Sequence, residues 1–495
     1  LTAQFHIFAS TPSGTVLSNN GWGTLNDNKV PTNTPSIVTY KQDTDKHWTE
    51  GSQNVDGKVY VDADEVHSDV TMTLPNPANL AKKLSNVVVT DNYTDFQYKV
   101  DYLGAQVFEN GKDVTNLYSI TNSKGYVTAT RKDATTTPQG TVDLHVNFQL
   151  HANVPSGTVL TNRGSGQINN EVVNTPDRTI TTFKQDTTKA WQEGDQIVNG
   201  KIYINNDEAH SQISTTLPDP AKLAKKLSSV VITDDYSNFS KYVDVNNVMV
   251  RENGTDATQN YNIVIDSQSG TITATRKDAS TTPGGKATMY VTFHLHTDIP
   301  SNTQLVNKGN VKINNETIPT PTPSVVTYKP DTDKHWIEGS QTVDGKTYID
   351  SDQIHGQVSM TLPEPSQLAN KLTKVSVTDD YSKFASNVDY VNATVLENGT
   401  DATNLYTITN NNGQVTATRK DASTAPGGNV ELHVTWKIHA DVASGTQFVN
   451  SGSGTLDKET VPTPDRTIVT YKQNTDKHWV EGSQVVDGKT FINGD

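Results

Sequence analysis

Residues 41–58 read KQDTDKHWTEGSQNVDGK, and close copies follow as KQDTTKAWQEGDQIVNGK from Lys184, KPDTDKHWIEGSQTVDGK from Lys329 and KQNTDKHWVEGSQVVDGK from Lys472. The tryptophans Trp48, Trp191, Trp336 and Trp479 mark steps of 143, 145 and 143 residues. Other landmarks keep the period: VVVTDNY, VVITDDY and VSVTDDY; TATRKDA three times; SGTVLTN, SNTQLVN and SGTQFVN. The step is several times the ~20–50 residues of a solenoid repeat and is the size of an independent domain. The sequence thus divides into the C-terminal part of one repeat (1–35), three whole repeat domains (36–176, 177–323 and 324–464) and the opening of a fifth (465–495). Beginning and stopping inside a repeat, it reads as a piece of a longer protein. The joints NTPS, NTPDR, PTPTPS and PTPDR are short and Pro-rich, so extended, semi-stiff connections and a rod of beads are expected.

Within one repeat, strand signals dominate. In LHVNFQLH, residues Leu144, Val146, Phe148 and Leu150 share one face, and His145, Asn147, Gln149 and His151 the other. The later copies Met289, Val291, Phe293, Leu295 and Leu432, Val434, Trp436, Ile438 keep the alternation, which marks a half-buried antiparallel strand. Asn110-Gly111, Asn253-Gly254 and Asn398-Gly399 are hairpin signals. One short helix per repeat is expected, capped by Asn76 or Asp219, opened by Pro77 or Pro220 and held down by Leu80 and Leu84. The fold class is all-β: tandem immunoglobulin-like β-sandwich domains, each with a short helical insertion.

Composition narrows the function. A formal charge of −15 with no basic stripe argues against nucleic acid. No apolar run approaches the ~20 residues that span a bilayer, so no membrane insertion is expected. Zero cysteine excludes disulfides, thiolate metal sites and cysteine nucleophiles. No phosphate loop, nucleophile elbow or HExxH occurs, and the chain is not expected to be an enzyme.

Three residue types recur at fixed offsets. Lys46, Lys189 and Lys334 open the repeats, and Asp91, Asp234 and Asp379 follow each by 45 positions. Asn162, Asn307 and Asn450 lie toward the closing end. Lys46 shares a strand face with Trp48, Asp91 with Val87 and Val89, and Asn162 with Leu160, so all three point into an apolar interior. Burial there drives lysine and aspartate toward their neutral forms. A neutral amine attacks the asparagine Cγ, the protonated acid polarises the carboxamide, and ammonia leaves. The product is an amide from first strand to last, formed once by reactants that the fold holds together. A buried Lys–Asp ion pair with a hydrogen-bonded asparagine is the alternative. Lys41, Lys184 and Lys329 are rival lysines, and Glu50, Glu193 and Glu338 rival acids. Asn19 and Lys477 belong to partial repeats and lack partners.

The repeat resembles the C-terminal domains of the streptococcal antigen I/II family of wall-anchored adhesins. Lys46, Val55-Asp56-Gly57-Lys58, Asp91-Asn92-Tyr93 and Asn162 carry the likeness. It implies a variant immunoglobulin fold, an Asp-assisted Lys–Asn isopeptide bond, and an extracellular, cell-wall attached place on a Gram-positive surface. The implied partners are a host-surface or biofilm glycoprotein or glycan, met here or by a distal region, and peptidoglycan through an anchor elsewhere. Tandem copies are more like the long adhesins of lactic acid bacteria than a compact antigen I/II tail.

Antigen I/II domains also hold calcium, but no run here has calcium-loop spacing, so neither cofactor nor metal is assigned and calcium stays an alternative. The acids Asp62, Asp64 and Glu65 read as an exposed loop, His294 and His296 as a solvated strand face, and Arg131, Arg276 and Arg419 as charged strand ends. The functional expectation is an adhesin stalk stiffened by internal crosslinks. Its rival is an array of modules that each grip a ligand and gain by avidity.

Overall fold

Alternating Val/Thr/Ile runs place every second side chain on one face, and two such faces closed on each other make a core. The computed structural model describes residues 1–494 and shows this arrangement three times. In the first sandwich the main strands are β1 (Thr44–Glu50), β2 (Val59–Val61), β3 (Glu65–Leu74), β4 (Val87–Asn92), β5 (Val100–Glu109), β6 (Tyr118–Ser123), β7 (Tyr126–Arg131), β8 (Gly140–Leu150), β9 (Val159–Ile168), β10 (Glu171–Asn174) and β11 (Arg178–Phe183). One sheet runs β5-β8-β3-β1, with a two-residue strand on each edge; the other runs β6-β7-β4-β9-β11-β2, with β10 also on β9. The β11–β2 pair is parallel. The third sandwich repeats the order, and in the second the strand equivalent to β9 breaks at Asn307 into Gln304–Val306 and Lys308–Ile313.

Strand β8 alternates inward and outward as its sequence demands, with Leu144, Val146, Phe148 and Leu150 buried. Around Phe148 lie Tyr93 and Phe96, at centroid distances of 4.9 and 5.7 Å, and Trp48 packs on Phe96 at 5.5 Å.

Two details differ from the sequence reading. The helical insertion is a single 3-10 turn, Pro77–Asn79, capped by the Asn76 side chain; Leu80 is already extended, which lets Leu84 reach the core. The Pro-rich runs are not joints between sandwiches. Residues 174–178 connect β10 to β11, and both pair with β9. Residues 462–466 likewise connect two strands that pair with Gln447–Leu456. A division at 176 would give β11 to the next domain, whereas β11 completes the sandwich before it.

Candidate functional site

Strand β1 buries Thr44, Lys46 and Trp48 and turns Asp45 and His47 outward. The indole drives the choice of face, and the lysine follows it in. On the opposite sheet, β4 buries Val87, Val89 and Asp91, with Asp91 flanked by Val127 on β7 and Gly164 on β9. Strand β9 then turns Asn162 inward. Lys46 therefore crosses the interior from one sheet to two neighbouring strands of the other. Arg178 closes the end, donating from Nε to Lys46 O (2.7 Å) and from Nη2 to Asp45 Oδ1 (2.9 Å).

The trio meets in each sandwich. Nζ of Lys46, Lys189 and Lys334 lies 2.6, 2.7 and 2.9 Å from Oδ2 of Asp91, Asp234 and Asp379. Asn162 and Asn307 donate from Nδ2 to that same oxygen at 3.3 and 3.4 Å. Asn450 is equally buried, and its carboxamide makes no hydrogen bond. The three aspartates and three asparagines are 0% exposed. Oδ1 of every one of them has no partner, at a cost of about 1–3 kcal/mol for each such buried group. Burial pushes all three lysines below the ordinary ammonium value, with the facing carboxylate holding against it. Burial likewise raises Asp379.

The rival residues lie elsewhere. Glu50, Glu193 and Glu338 accept from the hydroxyls of Tyr60, Tyr203 and Tyr348. Lys41 is exposed, Lys184 is half-buried, and Lys329 is 3.5 Å from Glu459. Asn19 and Lys477 are exposed in their partial repeats.

Sequence reasoning missed a fourth position. Ser68 donates from Oγ to Asp91 Oδ2 at 2.7 Å, and Ser211 does so to Asp234 at 3.2 Å. Its signal was available: a serine at core parity between Val66 and Val70. In the third sandwich the position is Gly356, where a Cβ would come within 2.7 Å of Lys334 Nζ and 2.9 Å of the Trp436 ring. The larger indole fills the space that Phe148 and Phe293 leave to a hydroxymethyl group.

Two readings change. Arg131, Arg276 and Arg419 end their strands as expected, but they are buried rather than left at the surface. Arg131 Nε donates to Glu109 Oε1 (2.8 Å), Tyr118 donates to the same oxygen (2.8 Å), and Nη1 holds Asp133 O (2.8 Å). Asp62 and Asp64 are not an exposed loop either: they are 0% and 2% exposed, because the next sandwich covers them.

Chemically, the trio holds an amine with a depressed ammonium, an acid within proton-transfer distance of it, and a carboxamide on that acid's other side. In the first two sandwiches the serine is the further side chain hydrogen-bonded to the acid, and in the third that position is a glycine. The trio is the donor set for an acyl transfer from asparagine nitrogen to lysine nitrogen.

Comparison with known proteins adds the family. A comparison with curated protein sequences gives no match. Among solved structures, the C-terminal domain of the Streptococcus pyogenes antigen I/II-family protein AspA is 14% identical, covering 57% of this chain and 99% of that one at a TM-score of 0.47. The Streptococcus agalactiae BspA C-terminal domain is 13% identical, covering 58% and 100% at 0.46. The Bacillus cereus major pilin BcpA is 11% identical, covering 88% and 99% at 0.29. The family model for the cell surface antigen I/II C2 terminal domain matches residues 39–182 and again 327–464, more than half of the sequence. The chain belongs to the cell surface antigen I/II C2 terminal domain family, of which it carries tandem copies.

Proposed function

We propose that the chain is a stalk region of a Gram-positive surface adhesin, built of three whole repeat domains and parts of two more. In this reading each whole domain is stiffened by an amide between Lys46 and Asn162, Lys189 and Asn307, or Lys334 and Asn450. The domains end with strands such as β11 rather than at the Pro-rich runs. The observation that carries the reading is the threefold return of one buried trio spanning both sheets. The repeats, or a region beyond them, engage a host or biofilm glycan or glycoprotein, with the whole held to the cell wall.

The reaction balances as a transamidation. Nζ passes a proton to Asp91 and attacks Asn162 Cγ; the new C–N bond forms as Cγ–Nδ2 breaks. Nδ2 leaves as ammonia with a proton from the attacking nitrogen, and the acid ends as it began the attack, protonated. The apolar surroundings favour that neutral acid, and the fold supplies the effective concentration. The bond forms once per domain, so this is not turnover catalysis.

Intact mass of the purified chain tests this directly. A deficit of three ammonia masses is expected, and Lys46→Ala, Lys189→Ala and Lys334→Ala each restore one beyond the substitution itself. An undiminished mass would reduce the trio to a buried ion pair.

A further inference from the structure

Two junctions join the three sandwiches, and they are built alike. In the first, Val59 N donates to Lys222 O (2.9 Å), Ala224 N to Val59 O (2.8 Å) and Lys58 Nζ to Ala221 O (2.9 Å). In the second, Ala369 N donates to Ile202 O (2.7 Å) and Lys201 Nζ to Ser366 O. Val61 and Ile204, each 1% exposed, belong to the core of the sandwich that follows them. Ile349, at the same place in the third sandwich, is 55% exposed. The face formed by β2 and the loop after it therefore mates with the next sandwich.

What it buries there is acid. Asp62 and Glu316 come from opposite sides of the first junction, are 0% and 1% exposed, and none of their four carboxylate oxygens has a partner. Lys184 and Asp64 face Asp62, and Lys184 faces Glu316. Asp64 takes Asn314 Nδ2 at 3.2 Å, with Lys225 and Glu50 beside it. In the second junction Asn205 replaces Asp62 and donates to Ile299 O at 2.7 Å. Glu459 has Lys329 at 3.5 Å. The opposed pair there, half-buried, is Asp207 and Asp457, with Lys458 and Glu193 nearby and Asp457 Oδ1 accepting from Thr373 and Lys374. Among the described residues no three acids or histidines converge as metal ligands. Unpartnered carboxylates held together out of water are relieved by taking up a proton.

We infer that this face is a repeat-to-repeat docking surface whose opposed acids, buried in the first junction and half-buried in the second, make docking proton-linked, loose near neutrality and locked in acid. Burial, ahead of the like charge opposite, lifts Asp62 to about 7 and Asp207 to about 7; burial lifts Glu316 to about 7 and Asp64 to about 6. A carboxyl raised in the docked state takes up a proton on docking, so docking strengthens as pH falls from about 7 toward about 4 and is weakest above that window. The inference does not depend on the Lys–Asn amide.

The absence of cysteine allows clean labelling of the full chain. Ser119→Cys with Asn262→Cys places two dyes on exposed strands either side of the first junction. Single-molecule energy transfer should show a broad distance distribution at about pH 8 that narrows by about pH 5, with docking at least about tenfold tighter in acid. Asp62→Asn with Glu316→Gln should be narrow at about pH 5 and lose most of the broadening at about pH 8, Asp64 carrying the remainder. Asn205 already stands at the first of these positions in the second sandwich, so the fold tolerates it. Asp207→Asn with Asp457→Asn should do the same for the second junction, read with Asn262→Cys and Thr407→Cys. An unchanged wild-type width across this range, or a double variant that keeps the full response, would overturn the inference. So would narrowing at about pH 8 on adding calcium that EDTA reverses, since the acids would then take a cation.

Discussion

Lys46 enters the core because Trp48 shares its strand face, and the sequence shows this without coordinates. Parity likewise brought Asp91 and Asn162 inward, so the trio was legible from three short alternations. Ser68 was equally legible at core parity. Glu109 was not, because its partners Arg131 and Tyr118 lie on two other strands. Asp91→Ala leaves an amine buried without its counter-charge: under the proposed crosslink one ammonia mass should return, and denaturant unfolding should show a loss of about 3–5 kcal/mol for that sandwich. Ser68→Ala should keep the full mass deficit, since the third sandwich has Gly356 there. A Gly356→Ser change, by contrast, drives its Cβ toward Lys334 Nζ and Trp436 and should cost about 1–3 kcal/mol by overpacking.

Strands were the easier scale to read. Alternation along β8 fixed the inward residues, and Val, Thr and Ile runs marked most of the rest. The joints were misread because Pro-rich segments look like linkers, whereas here they turn between β10 and β11. No local pattern tells a turn within a sheet from a joint between sheets; the pairing of both strands with β9 decides it. The insertion shrank to one 3-10 turn for a similar reason, since the burial of Leu84 outweighs the propensity for a second turn. Arg131 ties β7 to β5 through Glu109 and anchors the turn at Asp133. Arg131→Ala strands Glu109 in the core, and the first sandwich should lose about 3–5 kcal/mol in a denaturant titration, while Lys132→Ala on the exposed side stays within about 0.5 kcal/mol.

For the whole chain, repetition was visible in sequence, and the contact between repeats was not: burial of Asp62 depends on residues from the next sandwich, beyond any local signal. A covalent loop has a plain signature at this scale. Protease nicking between residues 47 and 161 should leave a chain that migrates as one piece in denaturing detergent, without reductant bearing on it, and Lys46→Ala should let the pieces part. Separation of the nicked wild-type chain would speak against the amide. Asn162 lies on β9, with β10 and β11 still to follow. With the amide in place, a pull that enters at Lys46 leaves at Asn162, and the residues between carry no tension. At about 3.4 Å per extended residue, roughly 390 Å of contour length per repeat is withheld. Only the run from Asn162 to the next lysine, Lys189, can lengthen, to roughly 90 Å at full stretch. That run contains β11 and the passage of the chain into the second sandwich, so the slack of the molecule lies where one sandwich hands over to the next.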